Sequence, residues 1–70
     1  MMQSILRRPA VESTTGLSRS AIYDRINPNS PYYDPTFPTP IRLGGNSVGW
    51  LESEISDWIN SRIEAIRKLA

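Results

Sequence analysis

The chain has 70 residues, carries a formal net charge of +1 and contains neither cysteine nor histidine. A chain of this length forms one small domain, whose core nets only about 3–5 kcal/mol of stability, which argues against an elaborate enzyme. The missing residue types exclude disulfides, thiolate zinc sites and most acid–base catalysis, and we expect neither a metal nor a cofactor. The chain has no apolar run of membrane-spanning length and no signal segment, so we expect a cytoplasmic location.

The first predicted elements are a short extended segment over residues 5–7 and a short helix over residues 9–15. Pro9 suits the first position of a helix, where its missing amide costs nothing, and Glu12 lies near the positive end of the helix dipole. Gly16 can adopt the left-handed conformation that ends a helix. Because two turns of helix do not persist in isolation, tertiary packing must hold this helix in place.

The second predicted helix runs from Ser18 to about Asn27 and is the segment most suggestive of function. The Ser18 hydroxyl can cap the free amides, Pro28 ends the helix, and the 3.6-residue repeat hides Ile22 and Ile26. Its outward residues are Arg19, Ser20, Tyr23 and Asn27. A short helix, a glycine turn and a capped second helix predict a helix-turn-helix, whose second helix contacts DNA. The alternative is that these polar residues form only the solvated side of a surface helix.

Residues 28–40 hold five of the six prolines. No regular element survives that density of proline, and we predict an extended or turning segment, hereafter the proline loop, that is stiff rather than mobile. We expect Phe37 and one of the two tyrosines, Tyr32 or Tyr33, to fold back onto the core. Two interpretations stay open: a rigid structural loop, or a proline-rich motif that binds a partner.

Residues 41–43 and 47–50 are two short alternating runs that predict a β-hairpin. Gly44, Gly45 and Asn46 separate them and supply the positive φ angles of a tight turn. Beside a helix-turn-helix, such a hairpin is the wing of a winged-helix protein. We predict that Arg42 faces out toward the phosphate backbone of DNA. The inward residues would be Ile41, Leu43, Val48 and Trp50.

The last predicted element is a long helix from Leu51 to about Lys68. Its apolar residues recur at spacings of three and four and form one stripe. They are Leu51, Ile55, Trp58, Ile59, Ile63 and Ile66. The stripe is interpreted as core rather than as the seam of a coiled coil, because a small domain needs those side chains inside. Its far end, including Leu69, extends past such a core and is available to a partner or a second copy.

The charged residues indicate binding rather than catalysis. Residues 1–50 carry five arginines against three acids, and seven of the eight cations of the chain are arginine, which suits bidentate contact with phosphate or guanine. Glu52 and Glu54 point in different directions on the helix and have no evident partner, and Ser18 and Ser20 have no base nearby. We therefore predict that the protein is not an enzyme.

Three segments of the chain resemble the AlpA family of small phage and genomic-island regulators. They are SRSAIY at residues 18–23, FPTPIRLG at 37–44 and VGWLESEISDWI at 48–59. Their order and spacing agree with the family from about residue 5 to 62, although about nine residues, 28–36, intervene where the common form has only a few. The family is similar in turn to excisionases and to the MerR-type winged-helix head.

The resemblance implies a DNA-binding transcriptional regulator of a bacterium or its prophage, which activates an integrase gene or assists excision of the element. It matches Ser18, Arg19, Ser20, Tyr23 and Arg25 to the DNA-reading helix of the family and residues 42–46 to its wing.

Together these observations predict one domain over residues 1–70, an α+β but mostly α winged helix-turn-helix that binds double-stranded DNA. The predicted DNA-binding residues are Ser18, Arg19, Ser20, Tyr23, Arg25, Asn27, Arg42, Gly44, Gly45 and Asn46. Self-association on adjacent sites and an integrase partner are further expectations. The alternative is an interaction adaptor that binds such a partner through the proline loop and the last helix.

Overall fold

The computed structural model of the protein describes residues 3–69 and the side chains of residues 3–68. In chain order its elements are β1 (Ile5–Leu6), α1 (Arg8–Thr15), α2 (Arg19–Ile26), β2 (Ile41–Gly44), β3 (Ser47–Leu51) and α3 (Glu52–Leu69). The predicted α+β winged helix-turn-helix architecture is confirmed, with each boundary within about one residue. Leu51, expected to begin the last helix, instead ends β3.

The turn between α1 and α2 forms as its residue types predict. Gly16 has φ 77° and donates its amide to the Glu12 carbonyl at 2.8 Å, which ends α1. The Ser18 hydroxyl accepts a 3.1 Å hydrogen bond from the Ala21 amide at the start of α2. Leu17, between them, packs against the core. The relative orientation of the two helices is therefore fixed by local interactions as well as by packing.

The three strands form one sheet in the order β1-β3-β2, and both pairings are antiparallel. Arg42 pairs with Val48 and Ile41 with Gly49. Directly paired residues point to the same side of a sheet, so Ile41 lies on the face opposite Val48 and Trp50.

The predicted inward orientation of Ile41 and Leu43 is therefore wrong, and these side chains are 37% and 45% exposed. Leu43 has no partner on β3, because a bulge between Arg42 and Gly44 shifts the register. Its side chain reaches back toward Gly49 instead, where a methyl group added to the glycine would lie 3.3 Å from the Leu43 Cδ1 atom. The alternation of residues along β2 does not determine which of its faces meets the core. The register of its pairing with β3 determines that face.

The hydrophobic core lies between the sheet and the three helices. Each helix contributes one fully buried residue, namely Val11, Ile22 and Ile55, and β3 contributes Trp50. Phe37 from the proline loop completes the cluster at 3% exposure, as predicted. The Trp50 indole nitrogen donates to the Pro38 carbonyl at 3.1 Å, so the largest core side chain also holds the loop.

The proline loop turns repeatedly and is attached to α2 and α3 through Asp34. The Asp34 amide donates to the Arg25 carbonyl at 2.9 Å, one carboxylate oxygen accepts from the Thr36 amide, and the other accepts from the Trp58 indole at 3.3 Å. The Phe37 ring meets the Trp58 ring edge-on at 5.0 Å. Tyr32 and Tyr33, by contrast, are 68% and 44% exposed, so the expectation that one of them returns to the core is wrong.

The Asp34 carboxyl has a perturbed pKa for these reasons. Partial burial raises the pKa, but the hydrogen bonds from Thr36 and Trp58, with a smaller contribution from the Arg62 charge, outweigh burial and hold the pKa of Asp34 below its usual value. A depressed native pKa means that the ionised form stabilises the fold. That stabilisation is fully present above the unfolded-state pKa of about 3.9 and is lost as the pH falls through the lower native pKa.

We therefore expect Asp34→Asn to lower the free energy of unfolding at neutral pH by about 1 kcal/mol, because a charged acceptor is replaced by a neutral one. The difference from the unmodified protein should shrink as the pH falls below about 4. Urea titrations followed by circular dichroism at several pH values would measure it. The matched control is Glu54→Gln, an exposed carboxylate on α3. A difference that stays constant down to the lowest pH would contradict the assignment.

Candidate nucleic-acid interface

A groove of about 470 Å³ lies where the beginnings of α1 and α2 meet the hairpin. Its lining residues are Arg7, Arg8, Pro9, Arg19, Tyr23, Asn46 and Val48. Two helix N-termini open onto it, and the partial positive charge of each favours an anion there. Arg7 and Arg19 add full positive charges, and Arg8 is ion-paired with Glu12. The arrangement is suited to binding a phosphodiester backbone.

Arg19 and Tyr23 form the part of this groove that α2 contributes. Arg19 is the first residue of the helix, and its guanidinium lies over the Tyr23 ring, 5.8 Å from the centroid. Tyr23 is 39% exposed, so part of its side chain remains accessible to solvent beside the arginine. A stacked guanidinium is held in a restricted orientation and keeps its planar set of donors available.

The other residues of α2 that were predicted to bind DNA, Ser18, Ser20 and Asn27, lie at different places along the helix. Ser20 is exposed on the outer side of the helix, as predicted. The Ser18 hydroxyl is already engaged as the cap. Asn27 is exposed, but it lies at the far end of α2, and its side-chain oxygen accepts from the Asn29 amide at 3.0 Å. Ser18, Ser20 and Asn27 are therefore not among the residues that line the groove.

Arg25 lies on a different flank of α2. At 100° per residue it is about 120° around the helix from Arg19. Its guanidinium donates to the Ala21 carbonyl of its own helix at 3.3 Å, and its carbonyl accepts from Asp34 in the proline loop. The structure thus places Arg25 beside the proline loop and not with Arg19 and Tyr23.

The tip of the hairpin contributes the opposite wall of the groove. Gly44 and Gly45 have φ angles of 139° and 52°, values that favour glycine, and a Cβ atom added at either would meet no other part of the described chain within 4 Å. Asn46 lines the groove directly. Arg42 is exposed, but it was predicted to lie opposite Val48 and Trp50, and its pairing with Val48 instead puts it on their face, the face that forms the groove.

Arg7 and Arg8 are groove residues that sequence reasoning did not single out. Arg8 is ion-paired with Glu12 one turn along α1, and the two side chains are about one third exposed. Arg7 precedes the helix in an extended conformation and is exposed. In the sequence, the pair of arginines before a helix-starting proline is the feature that could have indicated an anion-binding site. That the start of α1 faces the start of α2 is evident only from the tertiary fold.

The winged helix-turn-helix with an arginine-lined groove beside its second helix defines a class of small nucleic-acid-binding modules. Residues 4–63 match the family described as Prophage CP4-57 regulatory protein (AlpA), and the chain belongs to this AlpA family. It is 53% identical over 62 residues to the DNA-binding transcriptional activator AlpA of Escherichia coli (strain K12), covering 89% of each chain.

A second relative is the uncharacterized protein ORF88 of Enterobacteria phage P4. It is 41% identical over 61 residues, which are 87% of this chain and 62% of the phage protein. No solved structure matches the chain significantly. Within residues 3–69, none of the helices combines the length and the apolar character needed to cross a lipid bilayer.

Proposed function

We propose that the protein is a sequence-specific DNA-binding transcriptional regulator of a prophage or integrated element. The observation that carries the proposal is the groove between α2 and the hairpin, lined by Arg7 and Arg19 and by the ion-paired Arg8. The name of its E. coli relative, a DNA-binding transcriptional activator, supports the same function. With DNA as its ligand, the protein acts at the nucleoid in the bacterial cytoplasm, as one domain over residues 1–70.

In the proposed complex, α2 enters the major groove of double-stranded DNA. Arg19, held over Tyr23, donates to a guanine edge, and Ser20 and Tyr23 contact a neighbouring base or phosphate. Arg42, Gly44, Gly45 and Asn46 approach the flanking backbone, where the glycines leave room for close contact. Arg7 contacts a phosphate at the start of α1. Ser18, Asn27 and Arg25 are not proposed to contact DNA. Ser18 and Asn27 instead stabilise the two ends of α2, and the Arg25 carbonyl binds the proline loop.

One such module covers a small interface, on the order of 600–1,000 Å². Useful specificity then requires two or more copies bound cooperatively to adjacent short sites. The regulated gene is proposed to be an integrase gene, with assistance of excision as the related role, because both follow from the same contacts on DNA.

The proposal is tested by a gel-shift titration with DNA selected from a randomised pool and with the region upstream of the neighbouring gene. We expect a shift at submicromolar protein that survives competition by random DNA. An interaction adaptor, which would use exposed Tyr32 and Tyr33 and the end of α3, would give no shift at micromolar protein. That result would refute the proposal.

We expect Arg42→Ala to weaken binding to all DNA sequences alike. Arg42 is exposed on the hairpin, and a phosphate contact carries no sequence information. Removing one such contact should lower the slope of log K against log salt by about one. Fluorescence anisotropy on selected and random duplexes over a range of salt concentrations would measure both effects. The matched control is Arg62→Ala, which removes the same charge from α3. Loss on the selected site alone would contradict a phosphate role.

A further inference from the structure

The second half of α3 carries apolar side chains that the core does not cover. Ile59, Ile63 and Ile66 follow one another at spacings of four and three and so share one face of the helix. Ile59 is partly buried against the core, whereas Ile63 is 40% and Ile66 65% exposed. Exposed isoleucines that share one helix face form an apolar patch of the kind found at interaction sites.

The same side of α3 also carries a depression. A groove of about 250 Å³ lies between α1 and the first half of α3, lined by Leu6, Thr14, Glu52, Ile55, Ser56, Ile59 and Asn60. Its apolar residues come from β1 and α3, and Ser56, a small residue, leaves space in the helix surface. The protein thus presents a protruding apolar segment and a receiving groove on one continuous helix surface.

The charges along α3 define how two such surfaces can meet. The first turn carries Glu52 and Glu54, and the last turn carries Arg67 and Lys68. A parallel arrangement of two α3 helices would place like charges together. An antiparallel arrangement places the basic last turn of each copy beside the acidic first turn of the other, and it also places the protruding isoleucines of each copy over the groove of the other.

We propose that α3 is a self-association surface and that its occupant is α3 of a second copy, antiparallel and related by a two-fold axis. Ile63 of each copy lies against Ile59 of the second copy, and Ile66 fills the groove beside Ile55 and Ser56. Arg67 lies within reach of Glu52 across the interface. A surface that contains both the protrusion and the groove is self-complementary, as a two-fold interface requires.

This interface supplies the cooperativity of the proposed function, but it forms without DNA, so the two are tested separately. Sedimentation velocity of the full chain without DNA, at micromolar to millimolar concentration, should show a dimer of twice the 7.9 kDa monomer mass. A monomer throughout this range would overturn the proposal. Binding to a duplex with a single half-site would then still report on the DNA-binding function alone.

The surface itself is tested with Ile66→Glu. Because Ile66 is mostly exposed in the single chain, the variant should fold normally by circular dichroism and dimerise at least tenfold more weakly. Leu43→Glu is the control, since Leu43 is an exposed apolar residue on the outer face of the sheet, 45% exposed against 65% for Ile66. Loss of the dimer in Leu43→Glu, with Ile66→Glu unaffected, would place the interface on the sheet and overturn the proposal.

The antiparallel register is tested by charge reversal. Glu52→Arg and Arg67→Glu should each weaken the dimer by several-fold, because each variant places like charges together in both symmetric contacts. Combined in one chain, the two substitutions should restore affinity to near the original. A combined variant weaker than either single variant would exclude this register.

Discussion

Trp50→Ala is expected to leave most of the protein unfolded at 25 °C. Trp50 is fully buried at the centre of the core, and truncation of a buried tryptophan to alanine costs about 3–5 kcal/mol. A chain of this size has a total stability of about the same magnitude. The substitution also removes the indole hydrogen bond to the Pro38 carbonyl, which is one of the attachments of the proline loop. Far-UV circular dichroism and urea titration would measure the loss.

Two variants separate this effect from a general sensitivity to aromatic substitutions. Trp50→Phe keeps most of the ring volume and should lose less stability than alanine. Tyr32→Ala removes an aromatic side chain that is mostly exposed and should change the free energy of unfolding by less than about 0.5 kcal/mol. A Trp50→Ala protein with a stability within about 1 kcal/mol of the original, the effect of an average substitution, would contradict the role of Trp50 in the core.

Arg19→Ala is expected to have the largest effect on DNA recognition. A bidentate arginine–guanine contact contributes about 1–3 kcal/mol of discrimination, so affinity for the selected site should fall roughly 5- to 150-fold while affinity for random DNA falls much less. The variant should also lose preference at one base position. Selection from a randomised pool, followed by anisotropy titration on the preferred duplex, would measure both changes.

Arg19→Lys and Arg62→Ala are the informative controls for this prediction. Lysine keeps the charge but has no planar pair of donors, and it stacks less well over Tyr23, so Arg19→Lys should recover affinity for random DNA and not the base preference. Arg62→Ala removes one positive charge from α3, away from the groove. An equal loss on selected and random DNA for Arg19→Ala would show that Arg19 contacts phosphate only.

The elements of this fold could be predicted from the sequence wherever the determining interactions are local. The glycine at the end of α1, the Ser18 cap and the stripe of α3 each depend on residues a few positions apart, and the structure confirms all three elements. The faces of the hairpin could not be predicted in this way. They depend on the pairing of β2 with β3 and on the bulge at Leu43, and a shift of one residue reverses every side chain.

The candidate site was predictable only in part for the same reason. Arg19, Tyr23 and Asn46 follow from a helix and a turn that short motifs reveal. Arg7 and Arg8 belong to the site because the fold brings the start of α1 to the start of α2, and the two residue types alone do not indicate that placement. The sequence likewise identifies Asp34 only as an acidic residue. Its hydrogen bonds with the Trp58 indole on α3 and the Arg25 carbonyl on α2 depend on the tertiary fold.

The hairpin and the last helix are joined directly, which connects the proposed DNA-binding groove to the proposed self-association surface. β3 ends at Leu51 and α3 begins at the next residue, whose amide donates to the Ser4 carbonyl at 2.8 Å. With no flexible spacer, a tilt of the hairpin against DNA must tilt the whole of α3. DNA binding and dimer formation should therefore be thermodynamically linked, and by reciprocity each should change the affinity of the other by the same factor.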